Sequence, residues 1–274
     1  MEKKAVAVDI GGTNIRAGLV KNNKILRFNR KLTPKDKNNF LKMIVDMINE
    51  VKEEHIRGIG IACPGPLKNG FIINPPNIPL KNFDLKKFIE RKFKVEVEVD
   101  NDAKCVALAE LHLGCGKGRK NFFVLTLGTG IGGGVVINRE VYNTKDIGTE
   151  LGDIYLNENK TFEQLVGGKA IKRISKEKLG RELDISQLMK LKDRKAREIV
   201  EFVSKNLAKG IGSLINVFSP EIVVLAGGMR EAGEKFLKLV RVKVKKYISL
   251  PKDYDIVWSK LQEPGLLGAS LLVD

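Results

Sequence analysis

The stretch Ala5-Val6-Ala7-Val8-Asp9-Ile10-Gly11-Gly12-Thr13-Asn14 decides the fold. Its four leading apolar residues are typical of a short buried strand, and the glycines that follow Asp9 favour a tight turn. Residues 15–20, in which Arg16 is the one charged residue, predict a strand that leads back along the first. The N-terminus is therefore expected to form a strand–turn–strand unit with a carboxylate beside its turn.

A second copy of this unit begins about 120 residues later. Residues 122–126 predict an apolar strand, 128–130 a glycine turn and 134–137 a returning strand. A shift of 117 residues (126 minus 9) places Asp9 on Thr126. Because each copy opens one half of the chain, the sequence predicts an α/β protein of two lobes with a central cleft.

Glycines and lysines at 114–120 predict the linker between the lobes. We expect an N-terminal lobe at 1–117 and a C-terminal lobe at 118–264, with a last helix at about 265–274 that packs back on the first lobe. Helices are predicted at 35–54, 85–93, 103–113, 167–178, 194–218 and 231–247, and further strands at 25–29, 58–63, 95–99 and 222–226.

Composition excludes several classes of protein. The 274 residues are 43% hydrophobic, which argues against a disordered chain. Three scattered cysteines and no secretory signal favour the cytoplasm. The longest uncharged stretch, 121–138, carries five glycines, which argues against a membrane span. The net charge of +16 comes from lysines interleaved with acids, a pattern that favours a solvated, thermophile-like surface over a polyanion site.

Glycine turns that follow buried strands let backbone N–H groups approach an anion closely. Two facing turns would hold a polyphosphate, and a carboxylate at Asp9 suits Mg²⁺, which usually takes one or two carboxylates together with phosphate oxygens. Gly227-Gly228 forms a third turn, which either borders a nucleotide or only allows a tight helix entry. The chain has neither a dinucleotide-binding nor a P-loop pattern.

Asp102 follows a predicted strand and precedes a predicted helix. It is a candidate N-cap and also a candidate general base for phosphoryl transfer. Glu150, Asp153 and Glu163 either bind sugar hydroxyls or form a solvated acidic loop. The residues Cys105, His112 and Cys115 are interpreted as packing residues, because nothing completes a four-ligand zinc set.

With these residues in view, the chain resembles the ROK family (repressors, open reading frames and sugar kinases) over essentially its whole length. The resemblance rests on five motifs in order: Asp9-Ile10-Gly11-Gly12-Thr13, Gly60-Ile61-Ala62-Cys63-Pro64-Gly65-Pro66, Asn101-Asp102-Ala103, Leu127-Gly128-Thr129-Gly130-Ile131-Gly132-Gly133-Gly134 and Leu225-Ala226-Gly227-Gly228.

The resemblance implies an actin- and hexokinase-like (ribonuclease H-like) fold that binds ATP–Mg²⁺ and a sugar, with Asp102 as catalytic base and Asp9 near Mg²⁺. The residues implied around the sugar are Gly65, Asn77, Asn101, Asp102, Glu150, Asp153 and Glu163. Those implied at ATP are Gly11, Gly12, Thr13, Asn14, Gly128, Thr129, Gly130, Gly227 and Gly228.

Two departures from the family pattern affect these expectations. The family usually reads Glu-x-Gly-His where this chain has Glu150-Leu151-Gly152-Asp153, which leaves hydroxyl selectivity open. Residues 154–161 lack the cysteines of the family's zinc loop, so no structural zinc is expected. Because the first predicted strand starts at residue 5, the helix-turn-helix of repressor members is not expected.

We therefore expect an ATP-dependent, glucokinase-like hexokinase that phosphorylates the primary hydroxyl of a hexose. One alternative is a kinase for fructose, mannose or an N-acylated amino sugar. The other is a non-catalytic sugar-sensing regulator, which the +16 charge suggests. The expected partners are a sugar and ATP, with no specific nucleic acid and no membrane, and a homodimer or higher homo-oligomer is expected.

Overall fold

In the computed structural model, which describes residues 4–75, 77–143 and 147–273, the chain groups into two compact units. The first unit comprises Met1–Lys117, Glu140–Thr149 and Leu261–Asp274, and the second comprises Gly118–Arg139 and Glu150–Lys260. The lobes expected at 1–117 and 118–264 stay a prediction. Two short segments, 140–149 and 261–264, group with the first unit rather than the second.

A mixed five-stranded sheet forms the centre of the first unit. Its strands are β1 (Lys4–Ile10), β2 (Asn14–Lys21), β3 (Lys24–Leu32), β4 (Gly58–Cys63) and β8 (Glu96–Asn101). Their order is β3-β2-β1-β4-β8, with β1–β3 antiparallel and β4 and β8 parallel to β1. Short strands β5 (Leu67–Lys68), β6 (Phe71–Ile72) and β7 (Phe83–Asp84) pair beside it, and β11 (Glu140–Val141) comes later in the chain.

Alternation along β1 explains how helices cover both faces of this sheet. Val6 and Val8 point into a core shared with helix α1, whereas Ala7 points into a second core with helices α3 and α9. The helices are α1 (Lys37–Val51), α2 (Leu85–Phe93), α3 (Asp102–Leu113) and α9 (Pro264–Leu271). The C-terminal helix thus packs on β1 and β4, as expected.

The second unit has a sheet with strands β9 (Phe122–Leu127), β10 (Ile131–Ile137), β14 (Ile222–Ala226) and β15 (Asp255–Trp258). Their order β10-β9-β14-β15 matches the order β2-β1-β4-β8 in the first sheet. A separate short pair joins β12 (Tyr155–Asn157) to β13 (Lys160–Thr161). The helices are α4 (Phe162–Val166), α5 (Gly168–Leu179), α6 (Ile185–Lys190), α7 (Arg194–Phe218) and α8 (Gly233–Val244), with 3-10 helices at Leu151–Asp153 and Gly228–Ala232.

The predicted α/β class is confirmed, but the alignment of the two hairpins needs one correction. Ile10 pairs with Ile15 in the first hairpin, whereas Leu127 pairs with Ile131 in the second. The second turn is therefore one residue shorter, and the 117-residue shift is wrong for the return strands, where it is 116 (131 minus 15). The second return strand also begins at 131 rather than 134, because Gly132 and Gly133 pair with Thr126 and Leu125 of β9.

Several predicted helices have different bounds, and two of these differences have an identifiable cause. The first begins at Lys37, because Asp36 accepts a hydrogen bond from the Asn39 N–H and caps it. The helix expected at 231–247 is divided at Gly233, whose φ of 74° lies in the left-handed region. Among the described residues, no helix combines the length and the apolar composition needed to cross a membrane.

Candidate functional site

The carboxyl ends of three parallel strands place most of the first unit's candidate residues along one sheet edge. Asp9 of β1 pairs in register with Ala62 of β4, and Cys63 of β4 pairs with Asn101 of β8. Gly65 follows β4 and is half-buried. Ligands of open α/β sheets bind outside the carboxyl ends of their strands. This edge is therefore the candidate site of the first unit.

The first glycine turn is held by short hydrogen bonds and lies against Asn77. The Gly11 N–H donates to the Asn14 carbonyl at 2.9 Å, and the Thr33 hydroxyl donates to the Gly11 carbonyl at 2.6 Å. A Cβ on Gly12 would lie only 2.7 Å from the Asn77 Cβ. A larger residue at 12 would displace the loop of Asn77. The fold thus places Gly12, predicted to bind phosphate, against Asn77, predicted to bind the sugar.

Asp9 lies under the N-terminus of α9 and shares a partner with a second acid. Its Oδ2 is 3.1 Å from a terminal nitrogen of Arg16, whose Nε is 3.0 Å from an Oε2 of Glu263. A Cβ on Gly265 would lie 2.8 Å from the Asp9 carboxyl carbon. Burial raises the pKa of the Asp9 carboxyl; the Arg16 guanidinium opposes this rise and the Glu263 carboxylate adds to it.

The donor chemistry at Asp9 fits a magnesium ion bound partly through water. Mg²⁺ usually takes one or two carboxylates, keeps several waters and completes its shell with substrate phosphates. Asp9 supplies the carboxylate next to the Gly11-Gly12 turn. Sequence reasoning missed Arg16 and Glu263, since their contact depends on α9 returning to β1 from more than 240 residues away.

The candidate base lies in the first turn of α3 but does not cap it. The predicted capping role of Asp102 is wrong: Asn101 is the N-cap, and its Oδ1 accepts from the N–H groups of Ala103 and Lys104 at 2.9 and 3.2 Å. Asp102 accepts from the Ala103 N–H at 2.8 Å and is half-buried. A helix N-terminus stabilises a negative charge, so the position suits an ionised carboxylate.

Behind this loop lies a buried ion pair that sequence reasoning did not single out. Lys104 Nζ is 3.6 Å from Asp100 Oδ1, and the two side chains are 1% and 2% exposed. The i,i+4 spacing of an acid and a lysine could have indicated the pair. Its complete burial could not be read from the sequence, because most such pairs lie on helix surfaces.

In the second unit, the glycine turn rests on the N-terminus of α5. The Gly128 N–H donates to the Gly130 carbonyl at 3.0 Å. The Gly168 and Lys169 N–H groups donate to the carbonyls of Gly128 and Thr129 at 3.1 and 2.9 Å. Gly128 and Thr129 are exposed. The turn is thus fixed from behind while its outer side stays open.

The third glycine turn lies at the same sheet edge as the second. Ala226 of β14 pairs in register with Thr126 of β9. Gly227 has a φ of 94°, and a Cβ there would lie 2.6 Å from the Leu127 carbonyl oxygen. Both facts require glycine at 227. Gly228 is exposed and begins the 3-10 helix, so the turn combines tight packing with an open backbone edge.

Glu163 is fixed to the second glycine turn. Its Oε2 accepts from the Ile131 N–H at 2.7 Å, and a Cβ on Gly130 would lie 2.1 Å from the same oxygen. The side chain is nevertheless exposed. A carboxylate held at one oxygen keeps a defined direction for the other, which is what recognition of a sugar hydroxyl requires.

The acidic turn at 150–153 packs on β10 through its small and apolar residues. A Cβ on Gly152 would lie 2.1 Å from the Ile131 carbonyl oxygen, and one on Gly133 would lie 2.4 Å from the Leu151 side chain. Glu150 and Asp153 are both exposed. The packing fixes the backbone of the turn and leaves its acids on the surface.

The three remaining candidates, Cys105, His112 and Cys115, differ in burial. Cys105 is buried in the core beside α9, as expected, and burial raises the pKa of its thiol well above the ordinary value. His112 is exposed, so its predicted packing role is wrong. In the part of the chain that the structure describes, no three His, Cys, Asp or Glu side chains are grouped to hold a metal. The absence of structural zinc stays a prediction.

The pattern of the ROK family matches residues 5–274. The chain belongs to the ROK family. A glucokinase of Thermotoga maritima is 32% identical to this ROK chain over 307 aligned residues, which cover 98% of the chain and 97% of the glucokinase.

Solved structures agree with this assignment. A ROK hexokinase of Thermus thermophilus is 31% identical, with a TM-score of 0.83 and coverage of 98% and 97% of the two chains. A ROK glucokinase of Streptomyces griseus, in complex with glucose and AMPPNP, has a TM-score of 0.89 at 24% identity and covers 98% of each chain. This ROK chain therefore has the expected actin- and hexokinase-like fold.

Proposed function

We propose that this ROK protein is an ATP-dependent sugar kinase of the glucokinase type, which transfers the γ-phosphate to the primary hydroxyl of a hexose. The observation that carries the proposal is the place of Asp102: a half-buried carboxylate at the carboxyl edge of the sheet, in the first turn of α3 behind the Asn101 cap. The 32% identity to the Thermotoga maritima glucokinase supports the substrates.

In this proposal Asp102 accepts the proton of the sugar hydroxyl as that oxygen attacks phosphorus. A helix N-terminus favours a negative charge, and the hydrogen bond to the Ala103 N–H orients the carboxylate, which suits a general base. The residues proposed to bind the sugar are Gly65, Asn77, Asn101, Glu150, Asp153 and Glu163.

The two glycine turns supply N–H groups for the phosphates. Backbone donors that are already fixed need no reorganisation as charge develops, and this makes them effective in phosphoryl transfer. The Gly11–Asn14 turn and the Gly128–Gly130 turn take this role, and Gly227-Gly228 borders the adenosine. Mg²⁺, when bound next to Asp9, would neutralise charge on the phosphates.

A coupled assay of ADP release tests the proposal. Glucose, fructose, mannose, N-acetylglucosamine and N-acetylmannosamine would each be offered with MgATP. We expect glucose to have the highest kcat/KM. A higher kcat/KM for another sugar would support the kinase activity and replace glucose as the proposed substrate. Salt-dependent DNA binding without turnover of any sugar would favour the regulator instead.

The residue at 153 is the departure from the family pattern that favours a substrate other than glucose. An ionised carboxylate accepts hydrogen bonds only, whereas the histidine usual in the family can also donate. We expect Asp153→His to change the ratio of kcat/KM between two hexoses by about 10-fold, the effect of one hydrogen bond gained or lost. The measurement is the same ADP-release panel.

Glu158→His is the matched control, because Glu158 is an exposed acid in the neighbouring β12–β13 hairpin. It should leave all ratios within about 2-fold. If Asp153→His also preserved every ratio, then Asp153 would not contact the sugar and its place in the site would be wrong.

A further inference from the structure

Lys104 is a charged side chain in the interior of the first unit. It is 1% exposed, although it belongs to α3, two residues after the candidate base. Its ammonium group lies 3.6 Å from Asp100 Oδ1 and donates a hydrogen bond to the Asn143 carbonyl. Burial of an unpaired ammonium group costs free energy of folding, so the two contacts are what allows Lys104 to be buried.

The first contact connects Lys104 to the loop that carries the base. Asp100 Oδ1, which faces the ammonium, also accepts from the Asn101 N–H at 2.7 Å. The Asn101 side chain in turn accepts from the Lys104 N–H at 3.2 Å. The residues at 100, 101 and 104 therefore form a closed set of contacts around the backbone that leads into Asp102.

The second contact connects Lys104 to another segment of the same unit, 140–149. Besides the bond to the Asn143 carbonyl, Gly148 lies directly against this set. A Cβ on Gly148 would be 3.4 Å from Lys104 Cε and 3.6 Å from Asn101 Cγ. One ammonium group thus holds the loop of the base and the segment that leads in sequence to Glu150.

We infer that Lys104 is a positioning residue for sugar binding, acting through Asn101 and the Gly148 segment. The inference rests on the proposed function, because it takes Asn101 and Asp102 as sugar contacts. Lys104 is buried, so its effect reaches the sugar only through these neighbours. If Lys104 only compensated the charge of Asp100, its role would be structural, and removal of both charges would leave the sugar KM unchanged.

Two variants separate the roles. Lys104→Met removes the ammonium and keeps most of the chain length, but it leaves the Asp100 carboxylate buried without its cation. Asp100→Asn combined with Lys104→Met removes both charges, and buried ion pairs replaced together are often neutral for stability. The double variant remains informative even if the single variant fails to fold.

In the double variant we expect the melting temperature to recover while the sugar KM stays about 10-fold or more above the wild-type value. The KM for ATP should stay within about 2-fold, because the positioning acts on the sugar side. Hydrogen exchange in peptides that contain Ile147–Thr149 should be faster than in the wild type, which gives a readout independent of turnover.

A double variant with wild-type sugar KM and wild-type exchange at 147–149 would show that Lys104 only compensates Asp100, and would overturn the inference. Equal rises in the KM for sugar and for ATP would overturn it as well. A wild-type chain that phosphorylates no sugar in the panel would overturn the proposed function instead, and so the two failures are distinguishable.

Discussion

Asp102→Asn is expected to lower kcat by about 10²-fold or more while the KM for ATP changes little. The amide keeps an oxygen that can accept from the Ala103 N–H, as the carboxylate does now at 2.8 Å. It is a far weaker proton acceptor at neutral pH, so the attacking hydroxyl loses its base. Because Asn101 caps the helix, the change should not disturb α3. Steady-state kinetics with MgATP and the preferred sugar measure the effect.

Asp36→Asn is the matched control for this variant. Asp36 is also at a helix N-terminus of the first unit, where its carboxylate accepts from the Asn39 N–H at 2.9 Å. It is exposed and lies at the start of α1. We expect turnover within about 2-fold of the wild type. If folded Asp102→Asn kept near-normal kcat, another residue would have to be the base.

The parts of the fold that the sequence predicted are those that depend on local pattern. A run of apolar residues followed by Gly11-Gly12 specifies a strand and a turn without reference to the rest of the chain. The same holds for the second hairpin and for the long helix Arg194–Phe218, which was predicted with its observed bounds. Periodicity and turn residues act within a few positions, and the sequence shows them directly.

The parts that it did not predict depend on contacts between distant segments. The Arg16 side chain meets Glu263 only because α9 packs on the first sheet. The grouping of 140–149 with the first unit, and with it the contact of Asn143 and Lys104, has no local signal either. The shorter second turn was missed because the glycines that follow it, at 132, 133 and 134, specify the strand register only weakly.

The same distinction applies to the candidate site. Asp9, Asn101 and Asp102 were found because they end strands or begin a helix, where functional carboxylates and amides are expected. What holds them in place was not found. The capping of α3 by Asn101 rather than Asp102 depends on which of two adjacent residues has extended backbone, and both residue types favour that position.

Asp9→Asn is expected to lower turnover by about 10²-fold, because it removes the carboxylate proposed to hold Mg²⁺ beside the transferring phosphate. We expect the same variant to be at least as stable as the wild type at pH 7. Burial raises the pKa of Asp9, so the folded chain binds this proton more tightly than the unfolded chain. Ionisation of Asp9 therefore lowers stability as pH rises above about 3.8, its ordinary pKa, and asparagine does not ionise.

Melting temperatures between pH 4 and pH 8, without nucleotide, measure the stability effect. The advantage of Asp9→Asn over the wild type should be greatest near neutral pH and should shrink toward pH 4, where Asp9 becomes protonated. Glu263→Gln is the control, since it removes the other acid on Arg16 and keeps the carboxylate at 9. It should retain turnover within about 3-fold. Equal losses of turnover in both variants would mean that Asp9 acts by holding Arg16 and not by holding the metal.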